Sequence, residues 1–351
     1  MSDVTRTQFG TDDQGRPVDL YVIDTGAIEL RAMTFGCVIT SLRVADRRGT
    51  KDDVVLGHGS VEPYLTNPPY IGAVVGRYAN RIARGRFTLD GEAHQLATNH
   101  GLIHLHGGPR GFHRQLWDAQ PVQRGDTVGV TFSRISPSGE EGYPGTLHVS
   151  VSYLATGDTV DLQYEATTDT PTVINLSQHS YFNLGGPSRV DVLDHELIVH
   201  AGTFTPVDGT LIPTGALAPV KGTPFDFHAA AAVGPRLKLP HEQLTIGNGF
   251  DHNFVVAGRA GSLRPAAALR DPASGRRLEV STTEPGVQVY TGQSLDGRIT
   301  GAYGRRFTPH AGMCLETQHY PDSPNHPQFP STVLRPGQRW TSATRWRFRA
   351  G

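Results

Sequence analysis

The 351-residue chain carries 32 basic and 33 acidic side chains, a formal charge of −1, which gives neither the basic footprint of a nucleic-acid binder nor a polybasic face for an anionic membrane. No apolar run approaches the ~20 residues of a membrane span, and the opening MSDVTRTQFG lacks the apolar core of a secretory signal. Two cysteines far apart, Cys37 and Cys314, exclude a disulfide framework and a Cys-rich zinc site, and they fit reduced thiols in a cytoplasmic protein.

Glycine (41) and proline (25) are frequent, so the chain turns often. Because these residues cost about 1 and 3 kcal/mol in helix interiors, and the longest stretch free of both is Ser188 to Ala201, long helices are not expected. In chain order, Arg86–Leu89 and Glu92–Leu96 flank Asp90-Gly91, the dipeptide favoured where both central turn residues need positive φ. Leu147–Tyr153 and Val160–Ala166 alternate apolar and polar residues on either side of Thr156-Gly157-Asp158 and read as a second hairpin. A short helix is expected over Phe227 to Val233, stopped by Gly234-Pro235, and a third hairpin turns near Ala273-Ser274-Gly275. Isolated hairpins are marginal, and no linker or repeat divides the chain. The expected fold is all-β: one domain over residues 1–351, a large antiparallel β-sandwich of two twisted sheets with few short helices.

Several segments hold polar residues where surface logic does not explain them. In Gly76-Arg77-Tyr78-Ala79-Asn80-Arg81-Ile82, an amide and a guanidinium follow an apolar run; they can present donors to a polyhydroxylated ligand, or brace a loop. His104 and His106 share a face if they lie on one strand; a metal, a hydrogen-bonded core position and a ligand contact all remain open. His179, in Asn175-Leu176-Ser177-Gln178-His179-Ser180-Tyr181-Phe182-Asn183-Leu184, is a candidate general acid or a satisfied core histidine. Asp251 and Gln288 sit among apolar neighbours. Glu316 interrupts the run Met313-Cys314-Leu315, where a carboxylate is costly to bury unless paired or protonated; it is a functional candidate or half of a structural ion pair. No phosphate-binding loop, dinucleotide fingerprint or nucleophile elbow is present.

Together these segments, with Leu105-His106-Gly107-Gly108, Gly249–Phe254, Gly286-Val287-Gln288, Leu315-Glu316-Thr317-Gln318 and Asp322–Pro327, resemble the aldose 1-epimerase (galactose mutarotase) family, in the family's order and over nearly the whole chain. The resemblance implies a mutarotase-like supersandwich with an open carbohydrate cleft, no metal and no organic cofactor. It also implies interconversion of the α and β anomers of free aldohexoses such as D-galactose and D-glucose. Carried over by motif, Glu316 is the general base and His179 the general acid, and Asn80, Arg81, His106, Tyr181, Asp251 and Gln288 bind the sugar. Gln178 stands where the family more often has Asn.

That chemistry suits the residues. A base removing the O1 proton while an acid protonates O5 opens the ring, and each such group contributes about 10²–10⁴-fold. The pair then starts as Glu316 carboxylate and His179 imidazolium, with Asp251 expected to raise the histidine pKa. Arg81 and Asp251 are expected to grip sugar hydroxyls, and an aromatic platform is expected among Tyr64, Trp117, Tyr181 and Tyr320. The chain is expected to take a small-molecule aldose, to bind neither nucleic acid nor membrane, and to act as a monomer or weak homodimer. A hexose-6-phosphate 1-epimerase and a non-catalytic sugar-binding module are the competing readings.

Overall fold

A computed structural model describes residues 2–67 and 69–351. Its largest sheet has nine strands, in the order Asp118–Arg124, Thr127–Ser136, Leu147–Thr156, Thr159–Thr168, Trp340–Ala350, Arg276–Thr282, Arg264–Arg270, Glu196–Val199 and Ala231–Ala232. Neighbours in it run antiparallel. A five-stranded meander over residues 3–53 and a second five-stranded sheet complete the main layers. That second sheet is ordered Ala218–Pro219, Ala201–Phe204, Asp251–Val256, Gly286–Tyr290 and Cys314–Gln318. Among the described residues the expected two large sheets are therefore three, with four two-stranded pairings beside them.

Period-2 patterning builds the core. Along Leu147–Thr156 the odd positions Leu147, Val149, Val151, Tyr153 and Ala155 are buried, as are Val160, Leu162, Tyr164 and Ala166 on the next strand. They join one apolar cluster with Ile23 and Leu30 of the meander and Val287 and Leu315 of the second sheet. At about 25 cal/mol per Å² of apolar surface, this burial is the main drive to fold.

All three expected hairpins form. Asp90 and Gly91 take φ of 51° and 84° between Arg86–Leu89 and Glu92–Gln95, Thr156 pairs with Thr159, and Arg264–Arg270 pairs with Arg276–Thr282. The helix expected over Phe227 to Val233 is displaced. Ala231–Ala232 is an edge strand on Glu196–Leu197, and the helix is Val233–Leu237, with Gly234 and Pro235 inside it. Proline is tolerated in a first turn because the N–H groups there have no intrahelical partner; Gly234-Pro235 begins this helix instead of ending it. The other α-helices among the described residues, Glu62–Thr66 and Glu242–Gly247, are equally short, and no described helix is long and apolar enough to cross a membrane.

Candidate active site

Three strands of the second sheet build one wall of a cleft. Asp251 lies opposite Tyr290, which lies opposite Cys314; one step along, Asn253, Gln288 and Glu316 align. Because alternate side chains face opposite ways, Val287, Val289, Leu315 and Phe254 enter the core, and Asp251, Gln288 and Glu316 occupy the other face. The facing wall comes from short paired strands and the turns beside them. Ser177–Gln178 pairs with Val74–Val75 and delivers His179, and His104–Leu105 pairs with Arg81–Ile82.

The turns beside these short pairings are tight. Asn80 and His106 have φ of 63° and 49°, and they clasp each other: the His106 N–H donates to the Asn80 carbonyl at 2.9 Å, and the Asn80 N–H donates to His106 Nδ1 at 3.1 Å. Gly107 permits the clasp, since a Cβ there would lie 1.7 Å from the Gly76 carbonyl oxygen.

The cleft so formed has a volume of about 350 Å³. Of the eight residues expected to serve it, Asn80, Arg81, His106, His179, Tyr181, Asp251 and Glu316 line it. Gln288 stands behind the wall, its amide donating to Asp251 Oδ1 at 2.6 Å. Arg81 and Asp251 do not reach independently for ligand: Arg81 Nη2 donates to Asp251 Oδ2 at 2.9 Å, and its Nη1 to Asn80 Oδ1 at 3.2 Å. Tyr181 uses its hydroxyl on the Pro69 carbonyl at 2.9 Å, which leaves its ring to the cleft. Trp117 instead packs on Phe112, Tyr320 on Phe329, and the Tyr64 hydroxyl accepts from the His58 N–H; none of these three lines the cleft. The sequence reading missed Tyr70 and Tyr290, which do. Tyr290 was discoverable, lying two residues beyond Gln288 on the same strand face; Tyr70 carried no signal.

His179 and Glu316 meet at 3.7 Å between Nε2 and Oε1. Both are buried, and Glu316 Oε2 has no partner. Burial raises the Glu316 pKa well above 4.5, the nearby Asp251 charge adds to the rise, and Arg81 opposes it. Burial likewise pushes His179 down to about 4. Asp251 does favour the imidazolium, as expected, but more weakly than desolvation disfavours it. The unliganded pair thus favours carboxylic acid and neutral imidazole, with one exchangeable proton between them, and the expected resting ion pair is its tautomer. Asp251 itself sits below the usual carboxylate range, because Arg81 and Gln288 overcome its burial.

His106, His179 and Glu316 also bring three ligand-type atoms within 4.8 Å of one another. The backbone disfavours a metal there. With Nδ1 of His106 accepting from the Asn80 N–H, the neutral ring keeps its proton on Nε2, so His106 offers the cleft a donor, not a lone pair. His104 does not share this face. It is a core residue, with Nε2 at 2.6 Å from the Tyr143 hydroxyl and Nδ1 at 2.5 Å from the Ala97 carbonyl.

Known proteins resemble this chain in sequence and in fold. A family model described as aldose 1-epimerase matches residues 19–347. The galactose mutarotase of Rattus norvegicus is 46% identical over 349 residues, 99% of each chain. The aldose 1-epimerase of Escherichia coli strain K12 is 36% identical over 341 residues, 95% of this chain and 96% of that one. The crystal structure of galactose 1-epimerase from Lactobacillus acidophilus NCFM aligns over 99% of both chains with a TM-score of 0.87 and 26% identity. The cleft described above is therefore carried by a chain that belongs to the aldose 1-epimerase family.

Proposed function

We propose that this enzyme interconverts the α and β anomers of free aldohexoses, D-galactose and D-glucose among them, with His179 and Glu316 as the proton-transfer pair. One observation carries the reading: a histidine and a glutamate, both buried, face each other at 3.7 Å on the wall of a sugar-sized cleft. In the charge-separated form Glu316 takes the O1 proton as the C1–O5 bond breaks, and His179 Nε2 delivers its proton to O5. The carbonyl at C1 is then presented by its other face after rotation about C1–C2. Reversal of both transfers closes the ring and restores both groups, so no net proton leaves the site. Asn80, Arg81, His106 and Asp251 supply the hydroxyl contacts, Gln288 holds Asp251, and the ring of Tyr181 lies beside His179 at 5.1 Å between centroids.

A phosphorylated hexose is disfavoured. Arg81 is the one Arg or Lys among the described residues lining the cleft, and it is already paired with Asp251; a phosphate would call for further cations. The largest apolar cluster among the described residues draws on positions from Tyr21 to Phe348, in line with a single domain over 1–351. Both cysteines are free, in keeping with a cytoplasmic setting. The exposed large apolar residues Leu102, Ile135, Val190, Leu217, Leu239, Leu263 and Tyr303 are single positions in separate segments, which fits a monomer or weak homodimer.

Polarimetry of freshly dissolved α-D-galactose, α-D-glucose and α-D-glucose 6-phosphate tests the reading. Acceleration of the two free sugars is expected, and its loss in His179→Asn. A rate equal to that in buffer would overturn the catalytic reading in favour of a sugar-binding module.

A further inference from the structure

Glu316 faces one nitrogen of the His179 ring; the other nitrogen faces a residue the reaction does not require. Cys314 Sγ lies 3.5 Å from His179 Nδ1, within sulfur hydrogen-bond range, and both side chains are buried. The register explains the contact. Cys314 and Glu316 are two apart on one strand, so they share a face, and the imidazole lies against both. We propose that Cys314 is a positioning residue: its sulfur accepts the Nδ1–H of His179 and so leaves Nε2 as the single position of the ring that exchanges the catalytic proton.

The proton count of the pair leads to this assignment. When Glu316 holds the shared proton, a ring able to take it back at Nε2 has that nitrogen bare and its own proton on Nδ1. When His179 holds it, both nitrogens are protonated and Nδ1 is again a donor. After O5 has been protonated, Nε2 is bare and Nδ1 keeps its hydrogen. In every state of the cycle the Nδ1–H needs an acceptor, and beside the residue's own carbonyl the sulfur is the side-chain atom placed to be one. Burial pushes the Cys314 thiol pKa well up, so the acceptor is a neutral S–H group. A carboxylate in that place would stabilise the imidazolium and make it a weaker acid. A neutral sulfur fixes the tautomer and leaves the imidazolium acidic enough to protonate a poor base such as a ring oxygen.

This inference rests on His179 being the acid, and its test separates the two. Protein labelled with ¹⁵N-histidine, its His179 signals assigned by difference against His179→Asn, should show Nδ1 protonated at neutral pH in the unliganded wild type. That measurement requires no turnover. In Cys314→Ala the population protonated on Nε2 should rise and kcat should fall by about tenfold, less than the 10²–10⁴-fold of a positioned acid, with KM changed by less than about twofold. Cys314→Ser, which restores an acceptor at nearly the same place, should recover most of the rate. A wild-type Nδ1 resonance typical of an unprotonated nitrogen would overturn the proposal, whatever the kinetics. So would a Cys314→Ala enzyme with both the tautomer and kcat unchanged.

Discussion

Among the described residues two histidine–glutamate pairs stand in the interior, one fully buried and one with its histidine half-buried, and they are not alike. His319 Nδ1 and Glu284 Oε2 are 2.6 Å apart; His179 Nε2 and Glu316 Oε1 are 3.7 Å apart. Burial lowers the pKa of His319, but the adjoining carboxylate outweighs burial, and the net shift is upward. At His179 nothing adjoining is strong enough, and the net shift is down to about 4. The first pair is closed: a short hydrogen bond satisfies it, and no ligand is needed. The second has an unpaired carboxyl oxygen, a gap too wide for a good hydrogen bond, and a cleft alongside. Chemical identity therefore does not decide whether such a pair is structural or reactive. The decisive feature is whether the protein has already satisfied it.

Substituting the two glutamates in parallel is the strongest way to break this contrast. Glu316→Gln should lower kcat by about 10²–10⁴-fold and leave thermal stability nearly unchanged, because an amide replaces a carboxyl group that already rests in its neutral form. A Glu316→Gln enzyme with wild-type turnover would place the base elsewhere. Next in size is Asp251→Asn. It removes the charge paired with Arg81 at 2.9 Å, a charge-assisted contact of about 1.5–3 kcal/mol, so kcat/KM should fall by about 10- to 100-fold, mostly through KM. Because the Asp251 charge also helps to raise Glu316, the alkaline limb of the rate profile should move to lower pH in this variant. A limb that stays in place would mean that the two carboxyl groups are not coupled.

A smaller effect concerns acid pH. The single shared proton is held against gain by the low His179 pKa, about 4, and against loss by the raised Glu316. In kcat/KM the acid limb of the free enzyme should therefore lie near pH 4, with less than about threefold change from pH 5 to 7. An unshifted histidine, titrating near 6.5, would give a limb inside that range.

Much of this was legible in sequence where the cause is local. Asp90-Gly91 announces its turn because positive φ at two consecutive residues selects those side chains, and Glu316 stands out because a carboxylate in an apolar strand needs a reason. Sheet membership was not legible. Trp340–Ala350 inserts between Thr159–Thr168 and Arg276–Thr282, pairings across sixty or more residues that no local pattern encodes. The Gly76–Ile82 motif makes the limit plain. It holds two arginines, one of each kind the sequence left open. Arg77 is the brace, donating to Ser136 Oγ and to the carbonyls of Ser136, Pro137, Pro144 and Gly145. Arg81 lines the cleft. Which is which depends on where the Ser136–Gly145 segment packs, and that is a tertiary fact.

The closed pair supplies the mildest test, one read in stability and not in rate. Glu284→Gln should leave kcat within about twofold, since Glu284 does not line the cleft, and it should cost about 1–3 kcal/mol in unfolding free energy by leaving His319 without its charged partner. The pH dependence of that cost has a fixed sign. The folded-state pKa of His319 is raised above its ordinary 6.5, so its contribution is fully present below that value and is lost as pH climbs through the raised one. The gap between wild type and Glu284→Gln should accordingly be widest near about pH 5.5 and narrow on the alkaline side, as chemical denaturation at several pH values will measure. A gap that widened with pH would mean that His319 is buried neutral, and that both pairs owe their protonation to desolvation.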